Sequence, residues 1–429
     1  MLLGLYRTAT RLGGPLIEAH LRRRADQARE DPARLGERFG RPGLERPAEP
    51  LLWLHAASLG EASSALPLLE ALMATRRRLE ILLTTGTVSS ARLLAERLPA
   101  RMRHQFAPVD RPGAWRAFLA HWRPDLALLV ESELWPNLIL EARARGVPLA
   151  LINGRMSERS FRRWTRVRGS AARLLDGFEL FLAQSEADRA RFVALGAPRV
   201  AWLGNLKLAA PPLPAEPATL AALRESIGDR PVWLAASTHP GEEAQVLAVH
   251  AGIARELPDL LTMIAPRHAE RGAELAALIR GRGLPLARRS AAEPPGRACA
   301  VYLADTFGEL GLLYRVAQVA LIGGSIVPHG GQNPLEAAKL GCPLLFGPHT
   351  DNFAEIAAAL EQAEAARRVA DTADLERQIA ALLADPPARA RMAGRARDVV
   401  AQGAEVLAAT VAALAPMLDR ALGPADAPP

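Results

Sequence analysis

Short, almost unbroken apolar runs recur along the chain, and each is followed by a polar stretch with helical spacing. "LLWLHA" (51–56) leads into "EASSALPLLEALMA" (61–74), and "LEILLTTGT" (79–87) into "SSARLLAERLP" (89–99). "MRHQFAPVD" (102–110), "PDLALLVES" (124–132), "VPLALING" (147–154), "FELFLAQS" (178–185) and "RVAWLGN" (199–205) continue the series. Runs that are apolar at every residue predict strands covered on both faces, and their alternation with helices predicts a parallel sheet. The rhythm pauses at "AAPPLPAEP" (209–217), whose prolines mark a linker. It restarts with "PVWLAAS" (231–237), "LLTMIAPRH" (260–268), "AVYLAD" (300–305), "VALIGGS" (319–325) and "PLLFG" (343–347). The pattern predicts an α/β chain of two Rossmann-like parallel-sheet domains, 41–208 and 218–405, facing a cleft, with a C-terminal helix and tail over 406–429. Ligands of such sheets bind beyond the carboxyl ends of the strands. Glu61, Glu131, Asn153, Ser237, Arg267 and Ser325 all fall at such ends.

The first 40 residues follow a different pattern. Leu2, Leu5, Ala9, Leu12 and Leu16 recur at spacings of three and four, and Arg7, Arg11, Arg22, Arg23 and Arg24 lie close by. This predicts a basic amphipathic segment that associates with a membrane surface, with docking on the body of the protein as the alternative. Gly13, Gly14 and Pro15 argue against one continuous helix. Within this N-terminal segment no stretch of about 18 uncharged apolar residues occurs that would span a bilayer, and no cleavable signal is evident.

Composition changes this picture little. At 429 residues and 49% hydrophobic content the chain is long enough for two cores. The net charge is +7, carried by arginine, since Lys207 and Lys339 are the only lysines. Such a surface favours anionic partners, including phospholipid head groups. With 5% aromatic residues and no nucleic-acid module, nucleic acid is not the expected partner. Cys299 and Cys342 form no CxxC or Cys/His pattern, so no metal site is expected, and a reducing cytoplasm fits.

The richest stretch for chemistry is "IGGSIVPHGGQNPLEAA" (322–338). A strand ends in Gly323-Gly324-Ser325, a second glycine turn follows, and Asn333-Pro334 opens a helix. Glycines let backbone N–H groups approach an anion, and a helix N-terminus attracts one, so a phosphate site is predicted here. Glu336, in the first helical turn, suits a ribose diol or simple dipole pairing. Ser237 and Thr238 in "ASTHPGEE" (236–243), with Arg267 and His268 in "APRH" (265–268), are further candidate phosphate ligands, with a helix-capping Ser and a surface Arg as the commoner alternatives. Neither GxxxxGK[ST] nor an early GxGxxG is present, against a P-loop nucleotidase or a dinucleotide dehydrogenase. A nucleotide in the second domain and another ligand on the first is the logic of a GT-B glycosyltransferase.

In the first half, "HAASLGE" (55–61) ends a strand in small residues and delivers Glu61 to the next helix. Glu61 is either a helix-start residue or a catalytic base with room for a sugar beside Ser58 and Gly60. A helix N-terminus lowers its pKa and burial raises it. Glu131 and Glu133, read as the end of one strand, should point to opposite faces, with Glu131 favoured as the site carboxylate. Trp135 is a candidate wall of the acceptor pocket. Arg155, Arg159, Arg162, Arg163, Arg166 and Arg168 form a dense basic segment, for acceptor phosphates or as a solvated helix face.

The chain resembles the 3-deoxy-D-manno-octulosonic acid (Kdo) transferases of lipid A assembly. The resemblance runs through "LHAASLGE", "ESELWPN", "INGRMSERS", "AQSEADRARFVALGA", "LGNLK", "STHPGEE", "PRH", "DTFGELG", "GGSIVPHGGQNPLEAA" and "FGPHTDNF", covering nearly the whole chain. It implies a GT-B fold, CMP-Kdo as donor, an anionic lipid A precursor as acceptor, inversion at the anomeric carbon, and work at the cytoplasmic face of the inner membrane. It implies Glu61 as general base, Glu131 and Glu133 as the paired acidic motif, and CMP contacts from Ser237, Thr238, Arg267, Gly323, Gly324, Ser325, Asn333 and Glu336. No cofactor and no metal are expected, because a nucleoside monophosphate leaving group can be stabilised by helix N-termini, Ser325 and Arg267. The rival readings are a GT-B transferase using a UDP-sugar and a non-catalytic nucleotide-sugar binder at the membrane.

Overall fold

The computed structural model describes residues 2–27, 29–95 and 98–426. The chain divides into unit 1, residues 1–210 with 403–429, and unit 2, residues 211–402.

Unit 1 holds seven parallel strands: β1 (Leu51–His55), β2 (Glu80–Thr85), β3 (Met102–Phe106), β4 (Leu126–Val130), β5 (Leu149–Gly154), β6 (Leu180–Ala183) and β7 (Val200–Trp202). Their order is β3-β2-β1-β4-β5-β6-β7. Residues of β1 alternate between two cores, as the pleat requires. Leu52 and Leu54 join the core that includes Leu68, Leu72 and Leu414, while Leu51 and Trp53 pack with Trp115, Phe118 and Trp122. Burial on both faces explains why β1, β4 and β5 read as nearly unbroken apolar runs.

Unit 2 repeats the plan with β8 (Val232–Thr238), β9 (Leu261–Pro266), β10 (Leu286–Arg288), β11 (Val301–Leu303), β12 (Val319–Ile322), β13 (Leu344–Phe346) and β14 (Ala366–Arg368), ordered β10-β11-β9-β8-β12-β13-β14. In each unit the strand order reverses beside the first strand, between β1 and β4 and between β8 and β12; in unit 2 β11 also inserts between β10 and β9. The two reversals beside the first strands are the topological switch points at which ligands of open α/β sheets bind.

Both chain ends belong to unit 1. The helix Gly403–Leu422 buries Val406, Leu414, Met417 and Leu418 in the core with Leu206. By length and apolarity the run 386–422 could cross a bilayer, but this packing accounts for the apolar face of its second half. Gly403 allows the helix to start against the chain, since a Cβ there would lie 2.4 Å from Leu208 O.

The N-terminal segment is two helices, Leu2–Leu12 and Gly14–Asp26. Leu5, Leu12 and Leu16 are 67–77% exposed, an outward apolar stripe. The opposite side of the first helix is bonded to unit 1: Tyr6 to Asp110, Arg7 to Glu141 and Thr10 to Asn137. Residues 30–39 are also built into the unit, through buried Arg38, which donates to Glu30, Ala107 O and Gly86 O.

Candidate functional site

In unit 1 the switch point brings together residues that the sequence separates. Ser58 caps the helix Leu59–Thr75, its Oγ accepting from Glu61 N at 3.4 Å. Glu61 closes the box: Oε1 accepts from the Ser58 hydroxyl (3.0 Å) and Oε2 from Ala57 N (2.7 Å). This is a variant of the capping box, the carboxylate bonding the N–H one residue before the N-cap, so the helix-start reading of Glu61 is present in the structure. The box also pins the carboxylate at the end of β1, beside the end of β4. Gly60 is exposed next to it.

β4 stops at Val130, and Glu131 takes a left-handed conformation with φ 58°. The alternation expected for Glu131 and Glu133 therefore does not apply, because neither lies on the strand. Both are nearly buried, and both act on Glu61. Burial raises the Glu61 pKa above the ordinary carboxylate value. The Glu131 charge adds to this, and Glu133 adds less; the bonds from Ala57 and Ser58 oppose it without cancelling it. Burial and the neighbouring acids thus outweigh the bonds from Ala57 and Ser58 at this carboxylate.

The two flanking acids have different partners. Glu131 pairs with Lys207 Nζ at 2.6 Å. Glu133 accepts from His55 Nε2 at 3.0 Å and from the Trp135 indole N–H. Burial pushes Glu133 up, but His55, by hydrogen bond and charge, and the indole prevail and hold it below the usual carboxylate range. Thr84 Oγ1 accepts from the Trp53 indole (2.9 Å) and lies 3.0 Å from His55 Nδ1 and 3.5 Å from Leu54 O, so both ring nitrogens of His55 have a hydrogen-bonding partner. At the end of β5, Asn153 (φ 50°) accepts from Leu206 N at 2.9 Å, which fixes the segment carrying Lys207. Its buried Nδ2 meets no hydrogen-bond acceptor among the described residues. Strained φ at Glu131 and Asn153 is the kind of backbone that sites retain.

Trp135 is 43% exposed. Arg155 follows β5, its N–H donating to Glu131 O at 3.2 Å. Arg162 and Arg163 lie on the helix Glu158–Thr165, whose Phe161 and Trp164 pack into the core and so turn the arginines outward. With Glu158, Arg159 and Arg166 they line a surface depression of about 520 Å³. Arg162 is engaged by Glu158 at 2.9 Å.

In unit 2 the glycine turn corrects the sequence expectation. The backbone N–H groups of Gly324, Ser325 and Ile326 converge, but on the carboxylate of Glu242, which also accepts from His239 N. Glu242 is fully buried, so a protein carboxylate fills the anion position predicted for phosphate. Gly323 is needed for packing, since a Cβ would lie 2.4 Å from Ser237 O. The Ser325 side chain is also unavailable, donating to Ile322 O and accepting from Gly347 N. Thr238 is completely buried and donates to Glu243, the partner of Arg271. Asn333 does cap the short helix Leu335–Lys339, accepting from Leu335 N at 3.1 Å, and also reaches Glu336. Burial raises the Glu336 pKa against the pull of Asn333, Arg267 and Lys339.

An imidazole cluster remains beside this turn. Ser237 (φ 56°) precedes Thr238 and His239 at the end of β8. The His239 ring lies 3.7 Å from that of His329 and 6.2 Å, edge-on, from that of His268. Gln332 Nε2 sits 2.9 Å from His239 Nε2. Burial, then the charges of His329, His268, Arg267 and Arg271, push the His239 pKa down to about 4. A pocket rim in which positive groups repel one another is relieved by an anion. Arg267 and His268 are exposed there. Sequence reasoning missed His55, Lys207, His239, His329 and Glu242. Each stands inside a motif it did quote: His55, Lys207, His239 and Glu242 at a strand end or a helix start, and His329 in the loop after β12.

The family model for 3-deoxy-D-manno-octulosonic-acid transferase matches residues 33–210. A 3-deoxy-D-manno-octulosonic acid transferase of Bordetella pertussis is 38% identical over 428 residues, covering 96% of this chain and 98% of that protein. The transferase of the same name from Haemophilus influenzae is 34% identical over 394 residues, 90% and 92% of the two chains. Among solved structures, a glycosyltransferase from Rickettsia africae superposes with a TM-score of 0.59 at 10% identity, covering 87% of this chain and 99% of that one. That likeness shows the shared GT-B fold.

Proposed function

We propose, from the premise that this chain belongs to the Kdo transferase family, that it moves Kdo from CMP-Kdo to an anionic lipid A precursor with inversion, and that Glu61 is the general base. The observation that carries the base assignment is the carboxylate group at the unit 1 switch point. Glu61 is pinned by Ala57 and Ser58, and its pKa is raised by burial and by Glu131. A general base works best with a pKa drawn toward the working pH.

In this reading the acceptor hydroxyl oxygen attacks the anomeric carbon of Kdo. The new C–O bond forms as the bond to the CMP phosphate oxygen breaks, and that electron pair leaves with CMP. The acceptor proton goes to Glu61. Glu131, held by Lys207, and Glu133, held by His55 and Trp135, set the field around the base. Asn153 Nδ2 is a donor available to a sugar oxygen. On the donor side the filled glycine turn directs attention to Arg267 with His239, His268 and His329 as the groups facing the anionic sugar nucleotide, with Asn333 and Glu336 beside them. Competition tests the donor: CMP should inhibit transfer and UDP should not. Inhibition by UDP alone would move the assignment to a UDP-sugar.

The outward arginines of the helix Glu158–Thr165 suit the acceptor phosphates, and the Leu5/Leu12/Leu16 stripe suits the inner-membrane surface at its cytoplasmic face. Replacing Arg162 and Arg163 together by Ala should raise the acceptor KM about tenfold, the equivalent of about 1.4 kcal/mol, and spare the donor KM. Steady-state kinetics with each substrate varied checks this; an equal rise in both constants counts against an acceptor role.

A further inference from the structure

The helix Pro136–Arg143 begins directly after Trp135, and its own N-cap residue supplies no side-chain bond to the helix. The cap comes from elsewhere in the chain. Asp110, in the loop between β3 and the helix Pro112–Trp122, accepts from Asn137 N (3.2 Å) on Oδ2 and from Leu138 N (3.1 Å) on Oδ1. A carboxylate there satisfies orphan N–H groups and meets the positive end of the helix. The same carboxylate accepts from the Trp115 indole (2.9 Å), and the Trp115 ring lies edge-on to His55 with centroids 6.4 Å apart. Asp110 therefore touches both supports of Glu133: the start of the helix that carries Trp135, and the aromatic wall behind His55.

Two further donors reach Asp110 Oδ2: Asn137 Nδ2 at 3.3 Å and the hydroxyl of Tyr6, on the N-terminal helix, at 2.9 Å. Burial, together with the Asp110 charge and hydrogen bond, raises the phenol pKa well above its ordinary value, so the hydroxyl stays a donor. Two more contacts join the same pair of helices: Thr10 Oγ1 accepts from Asn137 Nδ2 (3.1 Å), and Arg7 pairs with Glu141 (2.6 Å). The inner face of the N-terminal helix is thus bonded to the segment that orients Glu133, with Leu3 packed against the core, while Leu2, Leu5 and Leu12 face outward.

We propose that Asp110 is a positioning residue of the transfer site, acting through Trp135 and His55 on Glu133, and that Tyr6 makes the N-terminal helix a working part of that site. The inference rests on the reading of the Glu61–Glu131–Glu133 group as the place of transfer. It implies that displacement of the first helix alters turnover, whether or not the chain stays on its membrane.

The test uses the full chain in detergent with a soluble excess of lipid acceptor, so that membrane recruitment is not limiting. Tyr6→Phe keeps the ring and removes only the hydroxyl bond; Asp110→Asn keeps the shape and removes the carboxylate. Both should lower kcat, by about threefold and about thirtyfold, since small misplacements of catalytic groups have large effects on rate. The donor KM should be unchanged. The decisive measurement is kcat for Tyr6→Phe made on a Glu133→Gln background. If Tyr6 acts through Glu133, the second substitution adds nothing. Multiplying effects would overturn the proposal, as would a lowered melting temperature with wild-type kcat in both single variants. Wild-type kcat in Glu133→Gln itself would overturn the underlying site reading and the proposal with it.

Discussion

Replacing Glu61 by Gln should reduce kcat for Kdo transfer by about 10²–10⁴-fold, the usual contribution of a positioned general base. The amide oxygen can still accept from Ala57 N or from Ser58, so the helix start should persist and the melting temperature should change little. The donor KM should hold, because the residues assigned to the donor lie in unit 2. The pH profile gives a second readout. A base must be deprotonated to act, so kcat/KM rises with pH through its pKa. With that pKa raised by burial and by Glu131, the acid limb should lie above the ordinary carboxylate range. Glu131→Gln removes a repelling charge and releases Lys207 from its partner, and both effects lower the Glu61 pKa. The acid limb should therefore move to lower pH in that variant. A limb that does not move would separate Glu131 from the base.

The second large effect concerns stability. In Glu242→Gln, four convergent backbone N–H groups lose a carboxylate and gain an amide whose NH2 cannot accept. At least two buried donors are then unsatisfied, at about 1–3 kcal/mol each. The unit 2 melting transition should fall by about 10 °C, at roughly 2–4 °C per kcal/mol for a domain of this size. If instead the glycine turn holds the donor phosphate and Glu242 is dispensable, Glu242→Gln would melt like wild type while CMP affinity changed. Differential scanning calorimetry with and without CMP separates these outcomes.

Much of this architecture was legible in the sequence because it is written locally. Strands buried on both faces are largely apolar, and twelve such short segments alternate with helices; the edge strands β10 (Leu286–Arg288) and β14 (Ala366–Arg368), short and partly exposed, carry no such run. The carboxyl ends of the apolar segments therefore pointed to Glu61, Glu131, Asn153, Ser237 and Arg267 before any coordinates. Strand order is not local, and here lies most of what was missed. His55 meets Glu133 only because β1 lies beside β4, with β2 and β3 on the far side. Glu242 reaches Gly324 and Ser325 only because β8 lies beside β12. A glycine turn followed by a helix start reads the same whether its N–H groups wait for a ligand or hold a buried side chain. The Ser58–Glu61 box, by contrast, is a local signature, and it explains the position of the carboxylate without removing its chemistry. A strand carrying both Glu131 and Glu133 would run three residues past the observed end: the chain turns at φ 58° immediately after Val130, and both acids come to act on Glu61.

The central claim, transfer of Kdo from CMP-Kdo to a lipid A precursor, is tested most directly by the mass of the product. The purified full-length chain is given a tetra-acylated lipid A precursor and CMP-Kdo generated in situ. The account predicts that the acceptor gains one or more Kdo residues and that CMP is released in equal number. An acceptor of unchanged mass with CMP-Kdo, alongside a gain of mass when a UDP-sugar is supplied, would contradict it.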